Sequence, residues 1–268
     1  INSQEAWKYE YYIKMLGYSL TGQARDETVC FFLIGLTAGN GKSSVLDCLS
    51  NRMTGYVKKM QNDCFEVKNT KKYKQFADVE NNRIIWVNEV SQKNEQDVEA
   101  IKNYADGVGL KNEVVFGTEA DVKVNSKVFF VSNGEPKFAS DEGIRRRYRY
   151  VEFSSKFFDD EQQMLTFTNG EVNKNKHYIV DSSVPSFLES DDGLSALLEI
   201  LYEGARLWYK NKLQTPEQYN KLKEQAISAN DVYSEFITKH FKQSNKGTIW
   251  KGELETFWDI CGFDGELK

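Results

Sequence analysis

The chain has no close pair of cysteines. Cys30, Cys48, Cys64 and Cys261 stand singly, without Cys-x-x-Cys spacing, and the two histidines, His177 and His240, lie far from all of them in sequence. A structural zinc site and a disulfide framework are therefore set aside, and a reducing intracellular setting is the simplest reading. No run of about 18 apolar residues exists, so no membrane-spanning helix is expected. A basic excess is missing too: 35 Lys and Arg against 40 Asp and Glu leave a formal charge of −5. This excludes a surface coated with cations. Any contact with nucleic acid has to be local, in a loop or a channel lining, because phosphate binding needs clustered Lys and Arg. Neither an initiating Met nor a signal-like segment stands at Ile1, and the chain stops shortly after Cys261. Both ends are expected to be cuts from a longer polypeptide.

What is present is ordinary for a soluble globular protein: 268 residues, 40% hydrophobic and 28% charged. That length allows one large domain, or a main domain with an appendage, around a sizeable core. Residues 4–22 read as a helix with Trp7, Tyr11, Ile13, Met15 and Leu16 on its apolar face. Residues 28–36 are almost unbroken apolar, the pattern of a strand buried on both faces of a parallel sheet. A glycine-rich turn follows, then a helix over 43–52. Further buried strands are expected over 83–88, ending in Asn88-Glu89, over 127–133, ending in Asn133, and over 148–153. A helix over 95–105 and a β-hairpin over about 109–125 fill the gap between the second and third. Later come amphipathic helices over 194–213, from Pro216 and over 232–241, and an exposed loop at 173–176. Alternating strands and helices with polar strand ends predict an open α/β sheet, which binds ligands at the carboxyl ends of its strands.

The chemistry concentrates at those ends. In Gly39-Asn40-Gly41-Lys42-Ser43-Ser44 the glycines let the backbone approach phosphates, Lys42 can reach the β- and γ-phosphates, and the Ser43 hydroxyl can ligate Mg²⁺. ATP and Mg²⁺ are the expected ligands. The usual pattern of such loops puts its first glycine at position 36, where Leu36 stands, and the glycine is one place earlier, at Gly35. Glu89 occupies a strand end, where a carboxylate can orient or deprotonate water and touch the metal; an exposed strand-end residue is the plainer alternative. Asn88 before it removes a second carboxylate. Asn133 can hydrogen-bond a terminal phosphate or can simply make a turn before Gly134. Arg145, Arg146 and Arg147 suit phosphoryl charge, or form a basic turn paired with Asp141 and Glu142.

The order of loop, Glu89, Asn133 and arginines resembles the superfamily 3 helicases of viruses, phages and plasmids, above all the ATPase part of poxvirus-type and phage-type primase-helicases. The segments that carry it run over residues 16–22, 39–44, 82–89, 129–136, 141–153 and 201–208, so the resemblance spans most of the chain. It implies an AAA+-like, P-loop α/β domain with helices on both sheet faces, assembled as a homo-oligomeric ring, usually a hexamer. Such a ring draws single-stranded DNA from a forked duplex through its centre, inside a host cell's cytoplasm or a viral replication site. A primase or polymerase domain is implied in the same longer chain. By this resemblance Gly39, Asn40, Gly41, Lys42, Ser43 and Ser44 hold ATP-Mg, Glu89 is catalytic and Asn133 is a sensor. Arg146 and Arg147 fit the arginine-finger position, with Arg145 a close rival. The family's hairpin carries basic residues into the channel; here the candidates are Lys111, Lys123 and Lys127, with Lys123 expected nearest the tip. The segments expected are 1–27, an N-terminal helical piece; 28–190, the ATPase core; 191–228, a helical region; and 229–268, the start of a winged-helix-like appendage. A loading or origin-melting switch without processive unwinding would carry the same motifs. A small-molecule kinase would want a lid and an acceptor pocket, which the sequence does not suggest.

Overall fold

The apolar run after residue 28 forms a strand, β1 (Cys30–Ile34), with all five residues buried. A computed structural model describes residues 6–23, 26–35, 37–69, 75–76, 79–91, 93–108, 110–112, 120–122, 124–134, 136, 142–217, 219–220, 236, 239–241 and 247–261. The further strands are β2 (Val57–Met60), β3 (Ile84–Val87), β4 (Leu110–Asn112), β5 (Ala120–Val122), β6 (Lys127–Ser132), β7 (Tyr148–Glu152), β8 (Lys156–Phe158) and β9 (His177–Ile179). The helices described are α1 (Ala6–Leu20), α2 (Ser44–Arg52), α3 (Val98–Ala105), α4 (Glu142–Arg147), α5 (Glu161–Thr168), α6 (Ser183–Glu189), α7 (Asp191–Asn211) and α8 (Lys251–Ile260).

Five strands make one sheet in the order β2-β3-β6-β1-β7, each neighbouring pair parallel. The fold is thus an α/β open parallel sheet. Its centre is sealed by aromatic pairs. In the β1–β6 register Phe31 faces Phe129 and Phe32 faces Phe130, and each pair of rings lies 4.7 Å apart. Successive strand residues point to opposite faces, so one pair serves each face. Phe130 passes the contact to Phe65 at 5.2 Å, and Phe65 to Tyr104 of α3 at 5.8 Å. Aromatic pairs of this kind contribute about 0.5–1.5 kcal/mol each beyond burial. β2 escapes a sequence reading because Lys58 and Lys59 interrupt it; it is an edge strand, where lysines guard against stray pairing.

α1 reaches the core through α7. A Cβ on Gly17 would lie 2.2 Å from the Ala205 nitrogen, and one on Gly204 would lie 1.9 Å from the Ile13 oxygen. Both glycines are required for the two backbones to approach this closely. Tyr18 then meets Trp208 at 4.5 Å. The Trp208 indole and the Leu213 amide both donate to Glu27 Oε1, at 3.1 and 2.9 Å. This holds the entry to β1 against the end of α7.

The chain divides into two compact units, Ile1–Pro216 and Glu217–Lys268. The expected divisions at 27 and 190 fall inside the first. In the second, α8 brings Phe257 and Trp258 within 5.7 and 4.9 Å of Phe236. Most of the helix expected over 232–241 lies outside the described residues.

Candidate active site

The strand order decides what meets at the sheet's carboxyl edge. β6 lies between β1 and β3, so the residue ending β6 stands between the loop after β1 and the carboxylate after β3. The loop itself folds around Asn40, which is 4% exposed. Its Nδ2 donates to the Thr37 carbonyl at 2.8 Å and to the Phe153 carbonyl at 3.4 Å. A Cβ on residue 35 would sit 1.9 Å from that Nδ2. The early glycine therefore has a reason: Gly35 makes room for the Asn40 amide. Gly39 and Gly41 have φ of 70° and 77°, the left-handed region that glycine enters without steric cost.

Lys42 leaves this loop toward the neighbouring strand. Its ammonium donates to Asn133 Oδ1 at 2.6 Å and to Asn40 Oδ1 at 3.3 Å. Partial burial lowers its pKa from the ordinary lysine value, while the nearby Glu89 carboxylate acts in the opposite direction. Loop lysine, Asn133 and Glu89 are thus brought together. Glu89 has a φ of 52°, unusual outside glycine. The next residue fixes that turn on β6: the Val90 amide donates to the Val131 carbonyl at 3.0 Å, and Ser132 Oγ donates to the Val90 carbonyl at 3.3 Å. Strain held from a neighbouring strand is typical of residues kept for function.

Ser43 is the N-cap of α2, yet its side chain makes no cap hydrogen bond, which leaves the hydroxyl for a ligand. The Ser44 amide bonds to the Gly41 carbonyl at 3.3 Å. Left-handed glycines, a lysine ammonium, an uncommitted hydroxyl and a helix N-terminus together fit a magnesium-bound polyphosphate. Asn40, by contrast, faces inward and shapes the loop.

The arginines separate. Arg147 is taken: its guanidinium donates to both carboxylate oxygens of Asp106 at 2.7 and 2.6 Å, and to the Gly143 carbonyl at 2.8 Å. Arg146 is exposed and Arg145 half-buried. Lys127 needs correcting as a DNA contact. It starts β6, is 3% exposed, and donates to the Glu27 carbonyl at 2.8 Å; burial pushes its pKa down to about 8. The hairpin exists, with β4 and β5 antiparallel and Lys111 opposite Asp121. Lys123, expected nearest the tip, lies outside the described residues.

Sequence reasoning missed a strap over the loop. β8 pairs in parallel with β9; the Phe157 amide donates to the Gly39 carbonyl at 2.7 Å, and Lys156 Nζ to the Ala38 carbonyl at 3.4 Å. Its signal in the sequence is the aromatic pair Phe157-Phe158 just after β7.

Fold and site define an α/β protein with a glycine-lysine loop, an amide and a carboxylate at three adjacent strand ends. No protein-family model and no curated protein matches the chain. Among solved structures, the apo C-terminal region of NrS-1 shares 15% identity at a TM-score of 0.42, over 81% of this chain and 57% of that one. The JCV helicase shares 10% at a TM-score of 0.39, over 84% of this chain and 61% of that one. The chain thus spans about three-fifths of the length of these structures, and overlap at this level assigns neither family nor activity.

Proposed function

We propose that the chain is an ATP-hydrolysing motor domain that works on DNA as a ring-forming helicase. The observation that carries the reading is the Lys42–Asn133 hydrogen bond of 2.6 Å beside Glu89. A lysine bonded to the amide ending the central strand is held where a terminal phosphate would take over both groups. Lys42 neutralises phosphate charge, Asn133 reports whether the terminal phosphate is there, and Glu89 orients and deprotonates the attacking water. Ser43 and Glu89 are the residues that would hold Mg²⁺, which supplies further charge neutralisation when bound. The loop fits the triphosphate; the assignment to DNA and to a ring, with a hexamer as its expected size, rests on the order of motifs described above. A primase or polymerase partner domain in a longer chain belongs to the same proposal.

Glu89→Gln tests the hydrolytic half. It keeps shape and loses the base, so nucleotide binding should persist while turnover falls about 10²–10⁴-fold. Equilibrium binding together with phosphate release measures both; near-normal turnover would move the role to another residue. For DNA, Lys111 is the candidate lysine on β4, opposite Asp121 of β5. Lys111→Ala should weaken DNA affinity and flatten its salt dependence by about one phosphate contact, with basal ATP turnover affected less. An unchanged salt slope would remove Lys111 from the contact. Strand displacement on a forked duplex separates a helicase from a loading or origin-melting switch with the same site.

A further inference from the structure

Beside the glycine-rich loop lies a cavity of about 340 Å³, and we propose that it receives the base of a nucleoside triphosphate whose phosphates lie in the loop. The inference rests on the phosphate-loop reading and adds a specificity site to it. The walls include Gly39 from the loop, Lys156, Phe157 and Phe158 from β8, and Gln163 and Phe167 from α5. Its size is at the small end of ligand pockets.

Three observations point to a flat, uncharged ring. The first is direction. Lys42, Asn133 and Glu89 gather where the terminal phosphate would lie; the cavity touches the loop elsewhere, at Ala38–Gly39. A nucleotide laid along the loop therefore carries its base toward the cavity. The second is the exposure of its aromatic rings: Phe157 is 39% and Phe167 55% exposed. Phe167 is nevertheless fixed, 5.4 Å from the buried Phe158 ring and 4.7 Å from Lys156 Nζ over its face. A held, half-exposed aromatic ring is a stacking platform, and every base has a π-face to offer it. The third is charge. Lys156 and Asp159 both line the cavity, so its charges balance, and the carboxylate can accept from an amino group of the base. The strap ties the platform to the loop through the Phe157–Gly39 and Lys156–Ala38 hydrogen bonds, so base and phosphate subsites are held in one piece.

The test compares Phe167→Ala and Phe167→Trp with the unmodified chain, measuring dissociation constants for ATP, GTP, CTP, UTP and inorganic tripolyphosphate, and KM and kcat for ATP. Base stacking predicts a loss of about ten- to a hundredfold in nucleotide affinity for Phe167→Ala, an equal rise in KM, tripolyphosphate binding within twofold of the unmodified chain, and recovery in Phe167→Trp. Unchanged nucleotide affinity in Phe167→Ala would overturn the base site and leave the phosphate loop standing. Equal losses for nucleotide and tripolyphosphate would show that Phe167 only supports the loop, and would also overturn it. A chain that binds neither nucleotide nor tripolyphosphate would instead strike at the phosphate loop itself, and the base site would fall with it.

Discussion

Lys42→Ala is expected to leave a folded protein whose ATP turnover is lost. The side chain sits at the convergence of the site: Nζ bonds to Asn133 on β6 and to Asn40 within the loop, with Glu89 close enough to affect its pKa. A partly desolvated ammonium acts on phosphate charge more strongly than one in water, because less solvent screens it. Removing one such preorganised group typically costs at least about 10²–10³-fold in turnover, and here binding of the triphosphate should suffer as well. The fold should survive. Lys42 belongs to neither the aromatic core nor the sheet, and Asn40 keeps its bonds to the Thr37 and Phe153 carbonyls. The measurements are phosphate release and a thermal melt. Turnover at the unmodified rate, with the melt unchanged, would end the phosphate-loop assignment.

How far the sequence carries depends on where the information sits. β1, β3 and β6 were readable because each is buried on both faces, and a doubly buried strand must be written as a continuous apolar run. The glycine-lysine loop was readable for a similar reason: positive φ at Gly39 and Gly41 and a helix start straight after are local demands. What sequence could not supply was strand order. Only the insertion of β6 between β1 and β3 brings Asn133 to Lys42, and those residues are 91 positions apart.

The same lesson accounts for the misses. Lys127 looked like any lysine at the end of a hairpin; its burial follows from the Glu27 carbonyl 100 residues away. Gly35 looked like a defect in the loop pattern until Asn40 was seen folded against it. Sequence left Arg146 and Arg147 together at the finger position with Arg145 a close rival, and the Asp106 carboxylate sets Arg147 apart. β8 and β9 have three residues each, too short for any period to emerge.

Arg146 is expected to act on ATP bound by a neighbouring subunit. Arg147 is held in its own chain by two bonds to Asp106 and one to Gly143, and releasing it would leave a half-buried carboxylate unpaired. Arg146, on the same short helix, is exposed. An arginine presented across a boundary stabilises charge on the transferring phosphoryl group, an effect of about 10³–10⁵-fold where it operates. Arg146→Ala should therefore lose turnover on that scale while still binding nucleotide, and Arg147→Ala should chiefly lower the melting temperature. Mixing distinguishes trans from cis. Lys42→Ala has a dead site and an intact Arg146; Arg146→Ala has an intact site and no arginine to give. When the two are combined and exchange subunits, some boundaries pair the working site with the working arginine, and turnover should return to a sizeable fraction of the unmodified protein. Each parent alone should stay inactive at every concentration. Mixtures that exchange, shown by energy transfer between labelled subunits, yet remain as inactive as either parent would mean that Arg146 serves its own site or none.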